Sequence, residues 1–110
     1  MKKVVHKKLV RDKIPEIIVA NGATLKMRVL NDQEFASAVD DKILEEAREL
    51  VDAEIREDVL KELADLKEIA LAKANLFQIT DQEIETERVK RGGARGTFMQ
   101  KIFLEEVEEK

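Results

Sequence analysis

The chain has 110 residues, 40% charged and 44% hydrophobic, with a formal net charge of −4. That length fits one domain, here 1–110. The lack of cysteine excludes a disulfide framework and a thiolate metal site, and the negative charge argues against general nucleic-acid binding. Little aromatic content and abundant Ala, Leu, Glu and Lys point to an all-α protein.

The chain opens on Met1-Lys2-Lys3-Val4-Val5-His6, basic but without the apolar run of a signal peptide. No stretch is long and apolar enough for a bilayer, so a cytoplasmic protein without membrane contact is expected. Leu9, Val10, Ile14, Ile17, Ile18 and Val19 follow, with Pro15 placed for a first helical turn. The pattern predicts a short helix over 14–20, stopped by Asn21-Gly22. Residues 24–30 alternate apolar and basic side chains and read as a strand.

Asn31 and Glu34 have the spacing of a capping box, with Leu30 and Phe35 as the hydrophobic staple. A long helix over 32–54 is predicted, its stripe built from Phe35, Val39, Ile43, Ala47 and Leu50. Asp58 is placed to cap a second long helix over 59–77, with Val59, Leu63, Leu66, Ile69, Ala70 and Leu76 as its stripe. Thr80 and Glu83 form another capping box, flanked by Ile79 and Ile84, and open a helix expected to end at Gly92-Gly93. Residues 98–104 read as a second strand. Two lone strands must find partners for their backbone groups, so antiparallel pairing of 24–30 with 98–104 is expected.

Charge is segregated along the chain. Residues 40–68 are dominated by Asp and Glu, whereas 1–13 and 88–101 are basic. Within the acidic centre, Glu46 and Glu49 form one pair three apart, and Glu62 and Asp65 form another. Three-apart residues share a helix face. The two pairs are symmetric about a short polar stretch, so a turn there would bring them to one height. Converging carboxylates repel unless a hard cation lies between them, and Mg²⁺ takes oxygen ligands of this kind. Salt bridges with Lys42, Arg48, Lys61 and Lys67 are the competing explanation. Glu45 and Glu68 lie beside the four as outer groups or as the base that activates water. His6 is the lone histidine, Ser37 has no evident base, and the glycines at 92, 93 and 96 form no P-loop.

Lys8-Leu9-Val10-Arg11-Asp12-Lys13-Ile14-Pro15-Glu16-Ile17-Ile18 resembles the opening signature of a MazG-like subfamily, described as phosphoribosyl-ATP pyrophosphohydrolase-like or house-cleaning NTP pyrophosphatases. Glu45-Glu46-x-x-Glu49 followed by Glu62-x-x-Asp65 resembles the metal motif of the MazG-like superfamily, and residues 95–105 resemble the subfamily's ending. Departures are His6-Lys7 in place of an aromatic–Asn pair, Thr97 in place of a glycine, and Lys67 at a usually apolar place.

The resemblance implies a helical bundle of two or four chains, dependent on Mg²⁺ or Mn²⁺. The implied activity cleaves a nucleoside triphosphate between its α and β phosphates, giving a monophosphate and pyrophosphate. By the same resemblance Glu46, Glu49, Glu62 and Asp65 are the metal ligands, and Glu45 and Glu46 the catalytic carboxylates. Arg91, Arg95 and Lys101, with Lys8, Arg11 and Lys13, are then the phosphate contacts. Phosphoribosyl-ATP is an alternative substrate. An inert helical module that binds nucleotides or a protein is the alternative of another class.

Overall fold

A computed structural model describes residues 2–109. The backbone divides into two compact units, Met1–Gln78 and Ile79–Lys110. Among the described residues the regular structure is entirely helical.

In the first unit, α1 spans Ile14–Ala20 and α2 spans Asp32–Asp52. α3 covers Arg56–Leu76. Pro15 sits in the opening turn of α1, where its missing N–H is no loss. Past the C-terminus of α1, Gly22 takes φ +89°, a left-handed conformation that glycine adopts without a Cβ penalty. Its N–H donates to Val19 O, and the N–H of Ala23 to Ile18 O.

α2 begins with the expected capping box: Glu34 N–H donates to Asn31 Oδ1 at 2.9 Å, and Asn31 N–H to Glu34 Oε1 at 3.3 Å. Arg28 adds a forked pair of bonds to the same carboxylate at 3.0 and 2.7 Å. α3 starts earlier than Asp58 would set it. Its N-cap is Ile55, which supplies no side-chain cap, and Asp58 falls in the first turn with Glu57. There both negative charges favour the helix N-terminus.

A connection of three residues turns α2 back along α3. Lys73 Nζ meets Asp40 Oδ1 at 2.6 Å, while Glu46 meets Asp65 nearer the turn. Partners that advance on one helix as they retreat on the other define an antiparallel hairpin. Val39, Ile69 and Ala74 are its buried apolar residues, and Glu46 is buried with them. The stripe predicted for α2 faces inward. That predicted for α3 is covered only in part: Val59, Leu66 and Ile69 are shielded, whereas Leu63 is 49% exposed and Leu76 also faces out. Glu62, Asp65 and Lys73 share a less exposed face with Leu66 and Ile69 of that stripe, and their three- and four-residue spacing marks one face. The acids of α3 therefore lie on the face turned to α2, where the apolar pattern alone places leucine.

In the second unit, α4 spans Asp81–Arg95 behind the expected Thr80–Glu83 capping box. It runs through Gly92-Gly93 and stops at Gly96, whose φ of +81° and ψ of −175° suit only glycine. One interior glycine costs only about 1 kcal/mol against alanine, and Ala94 and Arg95 are good helix formers.

Neither 24–30 nor 98–104 forms a strand among the described residues. The expected two-stranded element is therefore not seen among the described residues. In addition, a turn closed by Lys101 N–H on Phe98 O breaks the second run, with Lys101 at φ +62°. No described helix is long and apolar enough to cross a membrane.

Candidate metal centre

The hairpin gathers five carboxylates into two overlapping groups. Oxygens of Glu45, Glu46 and Glu49 lie within 4.8 Å of one another along α2. Oxygens of Glu46, Glu62 and Asp65 lie within the same distance across the two helices. Glu46 belongs to both groups and is the hinge between them.

Burial is graded across the set. Glu46 is 6% exposed, Glu45, Glu62 and Asp65 are intermediate, and Glu49 is exposed. One oxygen of Glu46 and one of Glu62, Oε2 in each, is buried without a hydrogen-bond partner. A buried carboxylate oxygen in that condition loses water and gains nothing, at a cost of several kcal/mol for an ionised group.

Among the described residues, Lys42, Lys8 and Arg11 reach the cluster. Lys42, one turn before on α2, approaches Glu45 at 3.0 Å and Glu46 at 3.5 Å. Lys8 reaches Glu45 at 3.3 Å. Arg11 lies 2.8 Å from Asp65 and 3.6 Å from Glu68. The electrostatics split accordingly. Burial, then the charge and hydrogen bond of Glu49 and the charge of Asp65, push Glu46 above the usual carboxylate range against the pull of Lys42. Glu45 is held below that range, first by its hydrogen bond from Lys42, with Lys8 adding to it and burial opposing. Burial alone would depress Lys42, but Glu45 and Glu46 outweigh it and hold the ammonium above its ordinary value.

Glu46, Glu62 and Asp65 thus converge across the turn, and Glu49 joins through Glu46 and Glu45. Of the competing salt-bridge partners, Lys42 pairs with Glu45 and Glu46 inside the cluster. Lys8 and Arg11 come to the same place, in contact with the carboxylates themselves. The signal for that contact was the basic opening set against an acidic centre. Lys13 stands at the N-cap of α1 and is exposed. Arg91, Arg95 and Lys101 are exposed residues of the second unit. A separate open groove of about 830 Å³, lined by Pro15, Val19, Leu25 and Met27, has Glu16 as its acid and is a different feature.

An uncharacterized protein of Mycolicibacterium smegmatis is a relative. The two are 47% identical over 53 residues, a stretch covering 48% of this chain and 54% of that protein. The chain therefore spans about half the length of the curated relative it matches. No family model matches it, and no solved structure matches it.

The donor set is all oxygen and all carboxylate, which suits a hard divalent cation and not a thiolate- or imidazole-seeking one. The unpartnered oxygens of Glu46 and Glu62 are what such a cation would satisfy, so the residues present fit the group.

Proposed function

We propose that this protein is a Mg²⁺-dependent nucleoside triphosphate pyrophosphohydrolase of the MazG-like kind, acting in the removal of non-canonical nucleotides. One observation carries the reading. Two buried carboxylate oxygens from facing helices, on Glu46 and Glu62, lack partners inside a cluster of acids. A protein without a cationic ligand gains no stability from that arrangement.

Glu46, Glu49, Glu62 and Asp65 would hold the metal, and Mn²⁺ suits the same donors. Held there, Mg²⁺ would supply charge neutralisation for the triphosphate and lower the pKa of water. In the reaction proposed, water adds to the α phosphorus and the bond to the bridging oxygen of the β phosphate breaks. Pyrophosphate leaves and a nucleoside monophosphate remains. Glu45 or Glu46 accepts the water's proton. Arg91, Arg95 and Lys101, with Lys8, Arg11 and Lys13, are the candidates to balance charge on the leaving group.

Leu44, Val51, Ile55, Leu60 and Leu63 of the hairpin are exposed. Assembly as a homodimer or homotetramer is what the family resemblance implies, and sedimentation of the purified protein would test it.

The deciding experiment is pyrophosphate release from canonical and modified nucleoside triphosphates and from phosphoribosyl-ATP, with and without Mg²⁺. Metal-dependent release by the parent, lost in Glu49→Gln and Asp65→Asn while helicity persists, is the expected result. Equal turnover in parent and variants would remove the carboxylates from the mechanism. No turnover of any substrate would leave the inert module as the better description.

A further inference from the structure

The segment before α1 crosses both helices of the hairpin and is tied to each by a cation. Lys8 bonds Glu45 on α2 at 3.3 Å. Three residues on, Arg11 bonds Asp65 on α3 at 2.8 Å, and its other terminal nitrogen lies 3.6 Å from Glu68. Leu9 between them is partly covered. Glu45 and Asp65 each belong to one of the two carboxylate groups. The strap therefore holds Asp65, one of the proposed metal ligands, and Glu45, the acid beside Glu46.

These ties are weak enough to exchange. The side chains of Lys8 and Arg11 are 44% and 55% exposed, and an exposed ion pair favours its closed form by only about two- to five-fold. A divalent ion seated on Asp65 repels the guanidinium beside it. The released fork matches phosphate oxygens as well as it matched two carboxylates, since guanidinium pairs with either in a bidentate manner.

We propose that residues 8–11 form a counter-ion strap, released from Glu45 and Asp65 when a divalent cation enters the cluster and re-seated on the phosphates of the nucleotide. This rests on the metal reading given above. Lys8 and Arg11 thereby gain a second role, neutralising the acids while the metal is absent.

The chain contains no cysteine, so a nitroxide on Val10→Cys reports the strap alone. The labelled 110-residue chain is expected to give a restricted spectrum without metal and a mobile one with Mg²⁺. A restricted spectrum should return when Mg²⁺ is joined by a non-hydrolysable triphosphate. In Arg11→Gln the label should be mobile from the start, with Arg11→Lys intermediate, because a lysine keeps the charge but not the two-acid grip. Mn²⁺ binding, read from the free-ion resonance of unlabelled protein, should tighten about two- to five-fold in Arg11→Gln. A spectrum unmoved by Mg²⁺ in a protein that binds Mn²⁺ overturns the strap and leaves the metal centre standing. Looser Mn²⁺ binding in Arg11→Gln also overturns it. Failure of the parent to bind Mn²⁺ overturns the metal centre, and the strap with it.

Discussion

Glu46 of α2 and Glu62 of α3 face each other across the hairpin with carboxylate oxygens within 4.8 Å, and each keeps one buried oxygen without a partner. Two acids so placed work against folding. Lys42, Lys8 and Arg11 reach the surrounding acids from outside.

Glu46→Gln should therefore act in two directions. At neutral pH, without metal, removing the buried charge stabilises the protein by about 1–2 kcal/mol, several degrees in melting temperature. On the metal proposal, Mg²⁺ or Mn²⁺ should raise the melting temperature of the parent, and the same change should erase that rise. Thermal melts with and without metal read both. A metal-free variant less stable than the parent would mean that Glu46 is fully paired.

The Arg28–Glu34 pair gives a pH signature away from the cluster. The forked hydrogen bond from Arg28, then the bond from the Asn31 backbone, holds the Glu34 carboxyl below its usual range. A carboxylate lowered on folding contributes stability above its unfolded value and loses it as pH falls through the folded one. Urea midpoints of parent and Glu34→Gln should thus differ at neutral pH and converge in acid. Curves that stay parallel down to low pH would remove the pair from the account.

Val39 is fully covered and Ile69 nearly so. Truncating Ile69 to Ala should cost about 2–5 kcal/mol, by lost burial and the cavity left behind. Chemical denaturation of Ile69→Ala measures it. A loss no larger than that of a surface change would show that the hairpin gains its stability elsewhere.

Lys73→Met offers a control. Its bond to Asp40 is short but exposed, and such pairs are worth about 0.2–1 kcal/mol. The variant should lose no more than that in a urea titration and keep its full response to metal. A lost metal response would tie this end of the hairpin to the centre.

Much of the local structure was legible because it follows from short-range chemistry. Asn31 and Thr80 cap their helices through side chains three residues from their partners, and Pro15 and Gly22 bound α1 by backbone preference alone. Where a longer-range term competes, local reading fails. Leu63 looked like core by spacing, yet the inward face of α3 carries Glu62 and Asp65. Segments 24–30 and 98–104 have strand-like composition, but composition provides no ladder partner.

Sequence by itself determined the helical stretches, the Asn31 and Thr80 caps, and the two acid pairs set three apart on either side of a turn, because each depends on neighbours within a few positions. Only the tertiary structure decided that Glu46 is the acid shared by both groups, which oxygens are stranded from water, and that Lys8 and Arg11 close on the same acids from 37 and 54 positions away. Those outcomes depend on how two helices rotate about their axes as they pack. A few degrees there, which no local pattern encodes, turn a surface carboxylate into a buried one.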